Sequence, residues 1–402
     1  MAQKPILISG AGIASLLFAR SLHRAHIPFI VFERDASIIF RAQGYRLRLS
    51  PEGLDAIESV LGPEGFKKFY DKCGKTGGAG FAAIDPLTGE TLGVEHSSVS
   101  TEPLTSREGK VVGISRGDMR SLFLEGLEDR VRWSHHVTGY EVTREGVRLI
   151  FRDGSKSEEG SLLVGGEGVK SAVAQQLSQG KIKVFDLGSR GIHGQAPTTA
   201  FKGLGEGVFR MMDEKSHPNG KVFLITNVRP SEMNDPNVEF GWTLGGSPGV
   251  IKPPNDDYTI IGKPVADMAR SLTANWHERL KPLFDRMNES EAAFWKITCS
   301  NPEGVPEWPN EPRVTLIGDA VHAMTPAGGN GANTAVRDSA LLGRLLAEAG
   351  GFKEGLTEAY EKEMRVYGSE AVKTSYGQAR AVFGVNIDEN SETLKGDYTA
   401  PN

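Results

Sequence analysis

A short apolar run, residues 5–9 (PILIS), passes directly into Gly10-Ala11-Gly12-Ile13-Ala14-Ser15 and then into Leu16, Leu17, Ala19 and Leu22 at helical spacing. A second apolar run, residues 28–32, ends in Glu33 and Arg34. An apolar run of this length bounded by turn residues reads as a buried strand. The first fifty residues therefore predict strand–turn–helix–strand, the unit that binds an adenine dinucleotide. Each residue type has its reason. Gly10 permits a tight turn, and Gly12 lacks the Cβ that would hold a pyrophosphate off the backbone. The helix beginning around Ala14 and Ser15 offers free N–H groups and the positive end of its dipole. Glu33 stands 21 residues beyond Gly12, the usual place for a carboxylate that accepts hydrogen bonds from ribose hydroxyls. Ser15 takes the third glycine position, which serves helix–strand packing and tolerates a small side chain. The unit does not choose between FAD and NAD, and a plain βαβ with a glycine turn is its alternative.

Residues 313–346 (RVTLIGDAVHAMTPAGGNGANTAVRDSALLGRLL) carry a second glycine-rich site. A strand ends in Gly318-Asp319, a loop contains Pro326, and Gly328-Gly329-Asn330-Gly331-Ala332-Asn333 leads into an amphipathic helix. Asp319 can accept a ribose or ribityl hydroxyl, and the glycine run lets backbone N–H groups reach an anion or an electron-rich ring edge. A glycine-rich connection without a ligand is the competing reading.

The two segments together resemble the FAD-dependent aromatic hydroxylases, the class A flavoprotein monooxygenases of which para-hydroxybenzoate hydroxylase is the type. Gly318, Asp319, Ala320, His322, Pro326, Gly329, Gly331 and Asn333 match that family's second FAD fingerprint in order, and Asp338 fits the acid that follows on the helix. The resemblance implies that Asp319 contacts the ribityl chain and that the Gly329–Gly331 loop, with Ala332 and Asn333, lies beside the isoalloxazine. Residues 162–173 (LLVGGEGVKSAV) are a poorer match: Glu167-Gly168 replaces the usual Asp-Gly, and Ala174 stands where Arg is usual. That motif serves both FAD and the nicotinamide donor in the family, so the departure bears on NAD(P)H. Residues 114–127 (ISRGDMRSLFLEGL) place Arg116 and Arg120 where relatives hold cofactor-contacting bases, one helical turn apart; a solvated helix face is the other reading. Residues 40–57 border the flavin in relatives. Arg41 matches a cofactor-contacting position there. Arg46 and Arg48 share one strand face and are the candidates for approach to the flavin, with a plain polar face as the alternative.

The resemblance implies an α/β protein: a Rossmann-like FAD-binding domain (1–72, 106–178 and 296–350), a β-sheet substrate domain (73–105 and 179–295), and a C-terminal helical segment (351–402). Strands are expected near 221–228 and 238–244, and helices near 265–288 and 354–384. The implied reaction uses NAD(P)H and O2: reduced flavin forms a C4a-hydroperoxide that oxygenates an aromatic or polycyclic small molecule. Hydroxylation comes first, with epoxidation or Baeyer–Villiger oxidation also open, and no acid or base is assigned. A flavin oxidoreductase or halogenase of the same fold and a non-catalytic flavin-binding module are the alternatives. The chain lacks the Trp-x-Trp-x-Ile-Pro segment of halogenases, and only the altered 167–174 stretch favours the module.

The formal net charge of −5 offers no basic field for a nucleic acid. No run approaches the roughly 20 apolar residues of a membrane span, and a cytoplasmic protein is the expectation. Cys73 and Cys299 read as free thiols. The histidines lack metal-ligand spacing; His135-His136 reads as a strand surface pair and His322 as a structural part of the second motif. Phe201, Phe209, Phe223, Phe240 and Trp242 are either pocket lining or sheet core.

Overall fold

The opening run forms β1 (Ile6–Ser9), every residue of it buried, and β2 (Phe29–Phe32) lies parallel beside it, with Ile6 opposite Phe29 and Ser9 opposite Phe32. Burial on both faces is why these strands read as unbroken apolar runs rather than as alternations. They are the centre of a five-stranded sheet in the order β17 (Val314–Leu316), β11 (Leu162–Gly165), β1, β2, β8 (Val131–Arg132). This computed structural model describes residues 3–38, 46–77, 81–95 and 104–396; Arg41, Tyr45 and residues 397–402 lie outside the described residues.

Two helices set the sheet's working edge. Helix α1 (Ile13–Arg24) follows the first glycine turn, and α8 (Gly331–Ala349) follows the second. They pack side by side. Gly343 makes this approach possible, because a Cβ there would overlap Ser21. One turn earlier, the Ser339 hydroxyl donates to Ala14 O at 2.8 Å. Helix α2 (Pro51–Lys72) is bent at Gly62, whose φ is +72°, and α3 (Arg116–Leu124) flanks α1. Helix α4 (Ala172–Leu177) follows β11, and the hairpin of β9 (Val137–Val142) and β10 (Val147–Phe151) places Phe151 5.2 Å from Phe32, ring to ring.

A small antiparallel sheet, β3 (Arg46–Leu49), β7 (Val111–Ser115) and β4 (Gly74–Thr76), joins this module to the second one. That second module is a seven-stranded sheet in the order β16 (Ala293–Ser300), β12 (Val184–Pro197), β15 (Glu239–Gly246), β14 (Val222–Val228), β13 (Gly207–Asp213), β5 (Phe81–Ile84), β6 (Thr91–Glu95). All its pairings are antiparallel except β13 with β5. One face is apolar core, where Trp242, Phe201, Phe240, Leu244 and Ile192 pack under α5 (Lys263–Leu272) and α6 (Pro282–Asp285). The other face looks toward the dinucleotide module. The long helix α9 (Leu356–Phe383) runs beside α8, β16 and β17. Its Tyr360 hydroxyl donates to Leu316 O, and Phe383 stacks on Phe223 of β14. The short α7 (Asp319–His322) connects β17 to the second glycine loop.

Several expectations need adjusting. The stretch near 265–288 is two short helices joined by a turn that buries Trp276 and Leu280, not one helix. His135-His136 is not in a strand: the pair sits in the loop between β8 and β9, half-buried, with the His135 ring against Phe32 and Phe151. Of the five aromatic residues left open between core and lining, Phe201, Phe209 and Phe240 are core, and Trp242 and Phe223 are both packed in core clusters and line a cavity. Strand β12, fourteen residues long and rich in glycine, was not anticipated from its pattern. Among the described residues no helix is long and apolar enough to cross a membrane.

Candidate functional site

Both glycine turns open onto one cavity of about 600 Å³. Gly10 holds φ at +91°, and a Cβ there would lie 2.6 Å from Gly166 O and 3.0 Å from Glu167 Cα. Its absent side chain therefore serves contact with the end of β11 as well as the turn. Gly12 is different. Its φ of −76° suits any residue, and among the described residues the only atom within 4 Å of a Cβ there would be Gly166 O at 3.9 Å. Gly12 lines the cavity, and among the described residues no side chain caps α1. The first-turn N–H groups of α1 are thus left for a ligand. Ala14 lines the cavity one step on. Ser15 is fully buried, and its hydroxyl fills the space where Gly166 lacks a Cβ.

Glu33 and Arg34 line the same cavity. The Glu33 carboxylate accepts from Ala11 N at 2.7 Å and from Asp35 N at 2.9 Å, so it ties the end of β2 to the glycine turn. Each oxygen keeps a further lone pair for a ribose hydroxyl. Arg116 and Arg120 both line the cavity from α3. Arg120 is buried, with its guanidinium donating to Ala11 O at 3.1 Å and Ile38 O at 3.3 Å. The charged lining of the cavity carries more cations than carboxylates, as a pyrophosphate requires.

At the other end, Gly318 takes a φ of +62° and turns Asp319 into the cavity, where the side chain is open to the cavity yet walled by protein. That enclosure raises its carboxyl above the ordinary range, with Asp338 adding to the effect and His322 and Arg116 opposing it. His322 is fully buried, and its Nε2 lies 2.7 Å from Asp338 Oδ2. The same oxygen accepts from Gly318 N at 2.6 Å, and the Tyr367 hydroxyl donates to Oδ1 at 2.7 Å. His322 and Asp338 therefore brace the strand end and do not face a ligand. Pro326, Gly329, Gly331 and Ala332 line the cavity, and among the described residues no side chain caps α8. Asn333 fixes the glycine loop: its Nδ2 donates to Gly329 O and Arg48 O, and its Oδ1 accepts from Ser50 N.

Glu167 lines the cavity half-buried, with Oε2 accepting from the Ser171 hydroxyl at 2.7 Å and Oε1 from Val173 N at 3.3 Å, and the protein around it raises its carboxyl despite these donors. The glutamate departure thus reaches into the start of α4 and closes its own bonds there. Gly168, with φ of +81°, lines the cavity. Cys73 and Cys299 are free and buried; burial pushes both thiols up to about 12, so neither is poised as a nucleophile.

A second cavity of about 1140 Å³ opens from the first beneath the seven-stranded sheet. The two share Arg46, Arg48, Leu47, Pro326, Gly329 and, from the sheet, His193, Thr243 and Trp295. The Arg46 guanidinium donates to Gly74 O at 2.9 Å and to Gly113 O. Burial first, and Arg229 beside it second, push its pKa down to about 9, which leaves it charged at neutral pH. Arg48 donates to Gly328 O at 3.0 Å and so touches the glycine loop directly. The second cavity is bounded by aromatic and apolar groups of the sheet and by α9. His193, Thr243 and Trp295 were not anticipated from the sequence, because the pattern that would reveal them lies in the glycine-rich β12 and in its pairing with β15 and β16.

A family model described as an FAD binding domain matches residues 267–375. The chain is 30% identical over 391 residues to the dual O-methyltransferase/FAD-dependent monooxygenase elcB of Phaeosphaeria nodorum, covering 87% of this chain and 41% of that protein. It thus spans about two fifths of the length of the first curated relatives it matches. It is 24% identical to the FAD-dependent monooxygenase thnD of Trichoderma harzianum, covering 94% of this chain and 88% of that one. Among solved structures it superimposes on HpxO of Klebsiella pneumoniae bound to FAD and uric acid with a TM-score of 0.72 at 19% identity, covering 94% and 89% of the two chains. The chain is thus similar to FAD-dependent monooxygenases along most of its length, and its match to the FAD binding domain takes in the second glycine loop at the cavity.

Proposed function

We propose that this chain binds FAD in the first cavity and, with NAD(P)H and O2, inserts oxygen into an aromatic or polycyclic small molecule held in the second. The observation that carries this reading is the junction. The uncapped starts of α1 and α8 line one cavity, and that cavity runs directly into a larger aromatic-lined one along β3 and the glycine loop. Such an arrangement lets a long cofactor place its phosphates at one end and its reactive ring at the edge of a separate compartment.

The residues present fit the cofactor. Gly12 leaves open space over the α1 N-terminus for a pyrophosphate. Glu33 and Arg34 stand at the ribose end, and Arg116 and Arg120 add positive charge along the wall. Asp319 faces the cavity where it would accept hydrogen bonds from a polyol chain, and Gly329 and Gly331 bring backbone rather than side chains to the ring edge. When bound, FAD supplies hydride acceptance and oxygen activation. The protein contributes position and a low-dielectric wall. Arg48, anchored on Gly328 O, and the charged Arg46 hold cations at the boundary between the cavities, where they favour negative charge on a reduced ring or on a phenolate.

The test is a flavin spectrum of the purified protein, then anaerobic addition of NADPH or NADH and readmission of air. Bleaching by the nicotinamide, recovery in oxygen, and incorporation of isotopically labelled dioxygen into an added phenol are the expected results. A chain that takes up no FAD on reconstitution overturns the proposal. One that stays yellow but accepts no electrons from either nicotinamide points to the Glu167–Ala174 departure as a loss of the donor interaction.

A further inference from the structure

The face of α9 turned to the second cavity carries Tyr367, Ala371, Thr374, Gln378 and Val382, spaced by three and four residues as one stripe of a helix. Gln378 is only 9% exposed, and its Oε1 is enclosed without a hydrogen-bond partner. That oxygen rests over the bare α-carbon of Gly328, where a Cβ would lie 2.2 Å from it and 3.3 Å from Asn330 Nδ2. Gln378, Gly328 and Asn330 line the second cavity and not the first. Among the described residues neither the Gln378 nor the Asn330 amide makes a side-chain hydrogen bond, to the other or elsewhere. Two primary amides therefore converge, unpaired, on one point of the cavity wall. The wall beside them is flat and aromatic. Phe383 of the same helix stacks on Phe223, with centroids 4.8 Å apart and planes 19° apart, and both rings line the cavity. Phe223 in turn lies against Gly245, where a Cβ would overlap its ring.

A buried polar group left unpaired destabilises the fold, so most such groups in folded proteins find a partner. A primary amide carries an acceptor and two donors side by side. The group that matches it is one with an N–H beside a C=O. A lone carbonyl would pair with the amide N–H groups and leave Gln378 Oε1 as it is. A carboxylate, with acceptors alone, would set its lone pairs against that oxygen. We propose that Gln378 and Asn330 bind the amide edge of a flat carboxamide or lactam whose ring lies along Phe223 and Phe383. The inference rests on the reading of the second cavity as the substrate site, and it names a chemical class for the occupant. Enclosed polar groups reject a look-alike that lacks the matching group more strongly than an apolar pocket rejects a change of size. The two rings bind any flat ligand, and the amide pair selects among them.

The probes are 2-naphthamide and 2-acetonaphthone, which differ only in NH2 against CH3, titrated calorimetrically into FAD-loaded protein. The parent should bind the amide roughly 5- to 100-fold more tightly, the effect of leaving one buried acceptor unpaired. Gln378→Met keeps the chain length and removes the amide. It should bring the two ligands to within about twofold of each other. Its midpoint of urea unfolding should equal or exceed the parent's, because an unpaired buried oxygen is gone. Asn330→Ala, at a half-buried position, should shrink the preference without abolishing it, and it decides the matter if Gln378→Met does not fold. Equal affinity of the parent for the two ligands, failure of 2-naphthamide to bind, or a preference that survives both substitutions would overturn the proposal. A protein that loads no FAD yet prefers the amide through Gln378 keeps this site and loses the flavin reading. One that loads FAD and accepts electrons from a nicotinamide, yet does not distinguish the two ligands, does the reverse.

Discussion

The two glycines of the first turn look alike in sequence and differ in what they touch, which makes them a sharp test of the cofactor site. Gly10→Ala forces a side chain into the left-handed region at φ of +91° and into backbone, 2.6 Å from Gly166 O. The conformation costs about 1–2 kcal/mol and the overlap about 1–3 kcal/mol, so a loss of about 2–5 kcal/mol of folding stability is expected. Gly12→Ala sits at φ of −76° and ψ of −179° in open space. Alanine is a poorer N-cap than glycine by a fraction of a kcal/mol, and the stiffer unfolded chain returns about 0.4–1 kcal/mol, so stability should stay within about 0.5 kcal/mol. FAD binding should behave in the opposite way. The new methyl at position 12 holds the phosphate away from the α1 N–H groups, and losing one charge-assisted hydrogen bond of about 1.5–3 kcal/mol weakens FAD roughly 10- to 150-fold. Urea unfolding of the FAD-free variants and quenching of flavin fluorescence on titration measure the two quantities. A Gly12→Ala protein that binds FAD as tightly as the parent would refute the placement of the phosphate. Equal destabilisation by both substitutions would refute the geometry of the turn.

Asp338→Ala should cost about 3–5 kcal/mol, because it strips a buried partner from His322, Gly318 N and Tyr367 together. Burial works against the charged His322 ring, but Asp338 outweighs it and raises its pKa above the ordinary 6.5. The pair's stabilisation is therefore complete below pH 6.5 and fades as pH rises through the raised value. Asp338→Asn should remove that fall in a pH series of denaturation midpoints. Glu167 behaves in the reverse sense: burial raises its carboxyl above 4.5, so the unfolded chain ionises first and stability drops as pH climbs from 4.5 through the raised value. Glu167→Gln should lack that drop in the same assay. Asn333→Ala removes the clamp between the glycine loop, Arg48 and Ser50 and should cost about 2–3 kcal/mol while lowering FAD affinity, read by unfolding and flavin titration. Gly245→Ala should displace Phe223 and weaken aromatic ligands with FAD affinity unchanged, since Phe223 lines the second cavity alone.

The turn glycines, Glu33, Asp319 and the Gly329–Gly331 loop could be read directly, since each belongs to a local pattern in which the strand before and the helix after fix its surroundings. Their bonding partners could not. Glu33 looks in sequence like a ribose acceptor alone, yet it also holds Ala11 N, because β2 ends beside the turn. Arg46 and Arg48 alternate as expected on β3, but they reach Gly113 O and Gly328 O through two different neighbours. The histidine pair at 135–136 followed no periodicity and was misplaced, and helix boundaries near 265–288 failed where buried Trp276 and Leu280 interrupt the repeat.

By itself the sequence determined the elements that repeat at short range: buried strands as apolar runs, helices by spacing, and two glycine turns whose backbone freedom is a property of the residue. Only the tertiary structure decided which distant groups share a space. Asn333 meets Ser50 across 283 positions, and His193 meets Thr243 across 50. Such pairs depend on strand register and helix docking, which arise when the whole apolar surface is buried at once, and no window of the chain contains that information.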